Sequence, residues 1–139
     1  MVEVLLDRWN KSFGSTVPEV VVRAPGRVNI IGEHTDYNEG WVLPGAMSRS
    51  IYLLVSKSKT GQHHWIAYDL DEEIQSTEEI LEYGQYAWAK YIEGAIRLYA
   101  PELGPLQLLI GGDLPVGAGI SSSSALVCGI LFALQQLTG

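Results

Sequence analysis

Charge is what this 139-residue chain runs out of: from Leu114 to Gly139 there is no Asp, Glu, Lys or Arg. Cysteine is almost absent as well, and the single Cys128 excludes an internal disulfide and suits a reducing cytoplasm. Its place in an apolar segment reads as a small core residue. Basic residues are scarce, 9 Lys and Arg against 16 Asp and Glu, for a net charge of -7. That balance argues against a nucleic-acid or anionic-membrane surface. A bound phosphate would then be held by local donors, with a divalent cation to help. No apolar run approaches the roughly 20 residues that span a bilayer. The N-terminus, MVEVLLDRWNKSF, lacks the basic-then-apolar order of an export signal. The expectation is a cytoplasmic globular protein, with no repeat, no linker and one domain over residues 1–139.

What is present alternates helical and extended patterns. Val4, Leu5, Trp9 and Phe13 fall at helical spacing over residues 2–13, and Gly14-Ser15-Thr16 should end that helix. Residues 19–24 (EVVVRA) read as a strand broken by Pro25-Gly26. Val42-Leu43 and residues 50–58 read as two further strands, with 64–69 returning as a hairpin partner. His63 and His64 read as a solvated pair. Ser76 or Thr77 followed by Glu78 or Glu79 resembles a helix cap. Trp88, Tyr91, Ile92, Ala95, Ile96 and Tyr99 pattern a helix over 85–99 that Pro101 stops. Residues 106–110 form an apolar strand before Gly111-Gly112, and 125–137 form a helix apolar nearly all round, which should be buried on most faces.

Two stretches carry chemistry. Residues 114–125, LPVGAGISSSSA, lie between that strand and that helix. Gly117 and Gly119 let backbone N–H groups approach a ligand, and a helix start offers unpaired donors and a positive dipole end, so a phosphate is the natural guest. A Ser-capped core helix behind a glycine turn is the plainer alternative. No Gly-Lys-Ser/Thr follows, which excludes a Walker A loop. Ser122 stands where a dinucleotide loop wants its third small residue, and no acid follows Asp113 to hold a ribose. Residues 26–37, GRVNIIGEHTDY, gather Arg27, Asn29, Glu33, His34 and Asp36. Glu33, His34 and Asp36 suit hydrogen bonds to several hydroxyls, and Arg27 suits a phosphate. The same groups would also serve a polar turn whose carboxylates cap backbone N–H groups or pair with Arg23 or Arg27. A metal site from His34, Glu33 and Asp36 is disfavoured, because adjacent side chains point apart.

Taken together, residues 26–37 match the galactokinase signature, and residues 114–125 resemble the phosphate loop of the GHMP small-molecule kinases. Residues 88–94 (WAKYIEG) resemble the galactokinase segment before that loop. Ile120 replaces the usual Leu or Met, and Glu39 stands where Gly is common. The resemblance implies an α+β GHMP kinase N-terminal domain resembling a ribosomal protein S5 domain 2-like fold, a mixed sheet with helices packed on it. It implies transfer of the ATP γ-phosphoryl group to the C1 hydroxyl of galactose, with Mg²⁺. Carried over by position, Glu33, His34 and Asp36 bind the sugar, and Arg27 is the catalytic group near the reacting hydroxyl and γ-phosphate. Trp88 lies by the base, while Pro115, Gly117, Ala118, Gly119, Ser121, Ser122 and Ser123 hold the triphosphate and Ser123 faces Mg²⁺.

The family's catalytic Asp, a sugar-contacting Tyr and a third glycine-rich motif belong beyond these residues. The expectation is the N-terminal domain, with the partner surface being the C-terminal domain or self-association through the apolar 125–137 helix. A kinase for N-acetylgalactosamine or arabinose, and a sugar- or ATP-sensing module, are the alternatives. The 139-residue polypeptide mixed with galactose and Mg-ATP should make little or no galactose 1-phosphate; formation at an ordinary kinase rate would refute this.

Overall fold

The structure, a computed structural model, describes residues 1–32, 34–77, 86–115 and 122–139, with Asp36 described by its backbone alone. In order, the described elements are α1 (Val2–Phe13), β1 (Val20–Ile31), β2 (Leu43–Lys57), β3 (His63–Ala67), β4 (Glu72–Ser76), α2 (Ala87–Tyr99), β5 (Leu106–Gly112) and α3 (Ser122–Thr138). The strands form one mixed sheet in the order β1-β2-β5-β3-β4. Every neighbouring pair is antiparallel except β3 with β5. β3 therefore does not return as a hairpin on β2, as its position in the sequence suggested. β5, the more apolar strand, takes the central place between them and is buried from both sides.

Pleating explains the layers. Leu53 and Val55 of β2, Trp65 and Ala67 of β3, and Leu106, Leu108 and Ile110 of β5 face α2 and α3 in one core. Their neighbours Leu54, Ile66 and Leu109 face the opposite way, onto Leu5 and Trp9 of α1. A strand covered on both faces must be apolar at consecutive positions, which is why 106–110 is an unbroken run. α1 keeps its expected bounds and buries Leu5 and Trp9 with Phe13 packed beside them, whereas Val4, expected on the same face, is exposed. Helix α2 begins at Ala87 and buries Trp88, Ala89, Ile92 and Ala95.

Three expectations need correction. The strand that begins near Glu19 does not stop at Pro25-Gly26 but runs on to Ile31, with its ladder irregular there. Pro25 pairs with Ser50 and Arg27 with Ala46, so residues 47–49 oppose Gly26 alone in a bulge. The two strands expected at 42–43 and 50–58 are one strand, β2, bent at that bulge. Residues 72–76 are strand β4, and the helix that Ser76 or Thr77 would cap falls on positions 78–85, outside the described residues. Helix α3 buries one face, through Ala125, Leu126, Gly129, Ile130, Ala133, Leu134 and Leu137, and exposes the other, including Phe132 and Cys128. Cys128 is thus not a core residue. Gly129 sets the close approach of α3 to the sheet, since a Cβ there would meet Leu53 Cδ1 at 2.5 Å and the Ala24 methyl at 3.2 Å.

The two histidines are engaged rather than solvated. His63 Nδ1 accepts the Leu106 backbone N–H at 3.1 Å, so it must be unprotonated there. His64 Nε2 lies 2.6 Å from Glu73 Oε1, and Arg8 of α1 approaches the same carboxylate at 3.6 Å. Burial holds the His63 imidazole below its ordinary 6.5. Burial alone would raise the Glu73 carboxyl, but hydrogen bonds from Gln75 and His64 and the charges of His64 and Arg8 outweigh it and hold it below 4.5.

In both cases the unfolded chain binds protons more readily than the folded one, so both groups make stability rise with pH. The His63 contribution is lost as pH falls through about 6.5, and that of Glu73 below about 4.5. Urea midpoints measured from pH 8 to pH 3 should fall across both windows. His63→Asn, which keeps an acceptor but cannot titrate, should flatten the upper window, and Glu73→Gln the lower. Unchanged profiles in both variants would refute this assignment.

Candidate functional site

The first turn of α3 is bordered by two cavities, and the residues singled out from the sequence divide between them. The larger, of about 770 Å³, lies over the end of β5. Trp88 of α2, Pro115 after β5, and Ser122 and Ser123 of α3 all line it. The smaller, of about 510 Å³, runs between β1 and α3 and is lined by Arg27 together with Ser124, Ala125, Cys128 and Phe132. Ser122 and Ser123 thus face one space while Ser124 faces the other. Fold geometry brings the arginine and the serine run, nearly a hundred positions apart in sequence, to opposite sides of one helical turn.

A hydrogen-bond knot around the buried Ser50 holds this junction. Asp113 Oδ1 accepts the Ser50 backbone N–H at 2.8 Å, and the Asp113 N–H donates back to the Ser50 carbonyl at 3.2 Å. The Ser50 hydroxyl, on a residue with no exposed surface, accepts from Arg23 Nε at 2.9 Å. Arg23 also donates to the Ser48 carbonyl at 2.9 Å, clasping the bulge. Asp69, just after β3, accepts the Gly112 N–H at 2.7 Å. Charge-assisted bonds of this kind are worth about 1.5–3 kcal/mol each, and the buried backbone groups could not be left unpaired.

The sugar-side residues are placed less compactly. The turn after β1 is organised by Thr35, whose hydroxyl lies 2.6 Å from the Gly32 carbonyl and 2.9 Å from the Trp41 carbonyl. His34 is exposed, with Nδ1 2.6 Å from the Tyr37 hydroxyl, and its carbonyl accepts from Asn38 Nδ2 at 2.9 Å. Asp36 opens a short 3-10 turn (Asp36–Asn38) closed by Glu39 at φ 59°, ψ 23°. That left-handed backbone costs a non-glycine residue about 1–2 kcal/mol, which gives a physical reason for a glycine being common there. His34 does not line either cavity. Glu33, Gly117, Ala118, Gly119 and Ser121 lie outside the described residues.

Sequence reasoning passed over Asp69, Leu70, Glu72, Tyr91 and Asp113, which also line the larger cavity. Tyr91 had a signal, sitting three residues after Trp88 on the same helix face. Asp69 and Glu72 had none, because only the parallel β3–β5 pairing carries them to this place.

A mixed sheet with α2 and α3 on one face, α1 on the other and a serine-led helix after its central strand is the architecture of the GHMP kinases. Residues 90–139 match the GHMP kinases N terminal domain, and mevalonate kinase from Methanococcus jannaschii shares the fold at a TM-score of 0.74, with 16% identity over 86% of this chain and 40% of that one. Residues 7–57 match the galactokinase galactose-binding signature. Galactokinases from Roseiflexus sp. and Haemophilus influenzae are each 41% identical to it, over 96% and 87% of this chain and 34% and 33% of theirs. Galactokinase from Lactococcus lactis, solved in complex with galactose, superposes at a TM-score of 0.84 with 26% identity, over 99% of this chain and 37% of that one. The chain belongs to the galactokinase family and corresponds to its N-terminal domain. It spans about a third of the length of the relatives it matches.

Gly112 tests the junction directly. A Cβ there would collide with the Ser50 carbonyl and come within 3.0 Å of Ile51 Cα, both backbone and unable to swing aside. Gly112→Ala should cost about 1–3 kcal/mol in urea unfolding, the usual range for overpacking. An unchanged midpoint would mean that β2 yields at Ser50.

Proposed function

We propose that these residues form the sugar- and ATP-binding half of a galactokinase, which transfers the γ-phosphoryl group of ATP to the C1 hydroxyl of galactose. The observation that carries the reading is the pairing of the galactose-binding signature over 7–57 with a nucleotide-sized cavity lined by Trp88, Pro115, Ser122 and Ser123. A volume near 770 Å³ falls within the usual range for ligand sites. The indole of Trp88 offers a flat apolar wall for a base. The start of α3 presents N–H donors and hydroxyls to phosphates. In this reading Arg27, which lines the cavity on the other side of that turn, neutralises charge that develops on the transferred group.

Among the described residues no group of three or more His, Cys, Asp and Glu could hold a metal ion. Mg²⁺ binds through substrate phosphates and one or two protein oxygens rather than in an all-protein cage. The Ser123 hydroxyl would be such an oxygen. When bound, Mg²⁺ supplies positive charge that offsets the phosphate oxygens. Asp69, Glu72 and Asp113 each accept a hydrogen bond that holds local structure. In this reading they shape the site, and the group that takes the sugar's proton comes from the C-terminal domain of a galactokinase.

The test is a chimera in which this chain replaces the matching third of the Roseiflexus galactokinase. It should produce ADP dependent on galactose and prefer galactose over N-acetylgalactosamine and arabinose. Arg27→Ala in that chimera should lower kcat by about 100-fold or more, the usual scale for removing transition-state charge stabilisation. A folded chimera that favours another sugar, or one indifferent to Arg27, would overturn the assignment.

A further inference from the structure

Strand β4 alternates its acidic side chains between the two faces of the sheet edge. Glu73 turns to Arg8 and His64 on the α1 side, whereas Glu72 turns to the cavity. There the Glu72 carboxylate accepts a hydrogen bond from the Trp88 indole N–H. Trp88 is nearly buried, and its ring meets that of Tyr86 at 66° with centroids 6.3 Å apart. Besides the core packing that nearly buries it, the indole meets an aromatic ring at a steep angle to its plane and a charged acceptor at its N–H. A tryptophan on the first turn of a helix has several rotamers open to it, and only an acceptor at Nε1 selects among them by direction.

We propose that Glu72 is a positioning residue for the nucleotide: it orients the Trp88 indole as the wall against which the base packs. This rests on the reading of the larger cavity as the ATP site. Glu72 does not act as acid, base or metal ligand in this role; its oxygen fixes a neighbouring ring. Removing the acceptor leaves a nearly buried N–H unpaired, so the ring turns to find another partner and the wall is lost to the base.

The experiment is ATP binding by calorimetry to the purified protein and to Glu72→Ala, Glu72→Gln, Trp88→Phe and the Glu72→Ala/Trp88→Phe pair, with thermal midpoints alongside. Glu72→Leu, which keeps more of the packing volume, replaces Glu72→Ala if the latter fails to fold. Glu72→Ala should weaken ATP about tenfold, Glu72→Gln should restore affinity to within about threefold because its amide oxygen still accepts, and the alanine change should have no further effect once Trp88 is phenylalanine. A purely structural glutamate would instead lower the thermal midpoint and weaken binding whether or not the indole N–H is present. ATP affinity unchanged in Glu72→Ala overturns the positioning role alone, as do equal losses in the glutamine and alanine variants. No ATP binding by any form overturns the nucleotide reading and this inference with it.

Discussion

Ser50 is where three parts of this domain are fastened to one another, and it is a serine with no surface exposed to water. Its N–H and C=O are both taken by Asp113, at the end of the central strand, and its hydroxyl by Arg23 of the edge strand. The knot continues the antiparallel β2–β5 register by one position beyond Ile51 and Gly112, and it sits where residues 47–49 bulge out opposite Gly26. Next to it Gly112 is pressed against the Ser50 carbonyl, where no side chain larger than hydrogen fits without a shift. Both cavities take their shape from this arrangement, since Ile51 and Gly112 wall one and Arg23 and Arg27 wall the other.

Burial on both faces of the sheet supplies the rigidity that the knot needs. Leu53 and Val55 pack beneath the long helices while Leu54 between them packs on α1, so no rotation of β2 is possible without exposing one set. Each of these side chains contributes about 1.5–3 kcal/mol by leaving water. A second consequence follows at the far edge. The parallel β3–β5 pairing places β4 beside the start of α2, and acidic residues that would otherwise be plain surface come to line a cavity.

Much of this was legible before any coordinates. The three helices and the central strand follow from periodicity, because apolar spacing of 3.6 or an unbroken β run is itself a statement about which faces lie in the core. The motif residues Trp88, Pro115, Ser122 and Ser123 do meet around one cavity. Other readings failed where long-range packing overrode local signals. Pro25-Gly26 looked like a strand end, yet a bulge absorbs both residues. His63 and His64 looked solvated, yet one accepts a backbone N–H of β5 and the other holds Glu73. Cys128 looked like core, yet it lies on the outer face of α3.

The sequence by itself determined the helices, the apolar centre of the sheet and the two chemical stretches, because these rest on interactions between near neighbours and on the side-chain chemistry of short runs. The tertiary structure alone decided that β5 separates β2 from β3, that Glu72 meets Trp88, and that Arg27 and the serine run flank one helical turn. Strand order depends on which distant surfaces cover one another, a comparison of buried areas across the whole chain that no local window of residues contains.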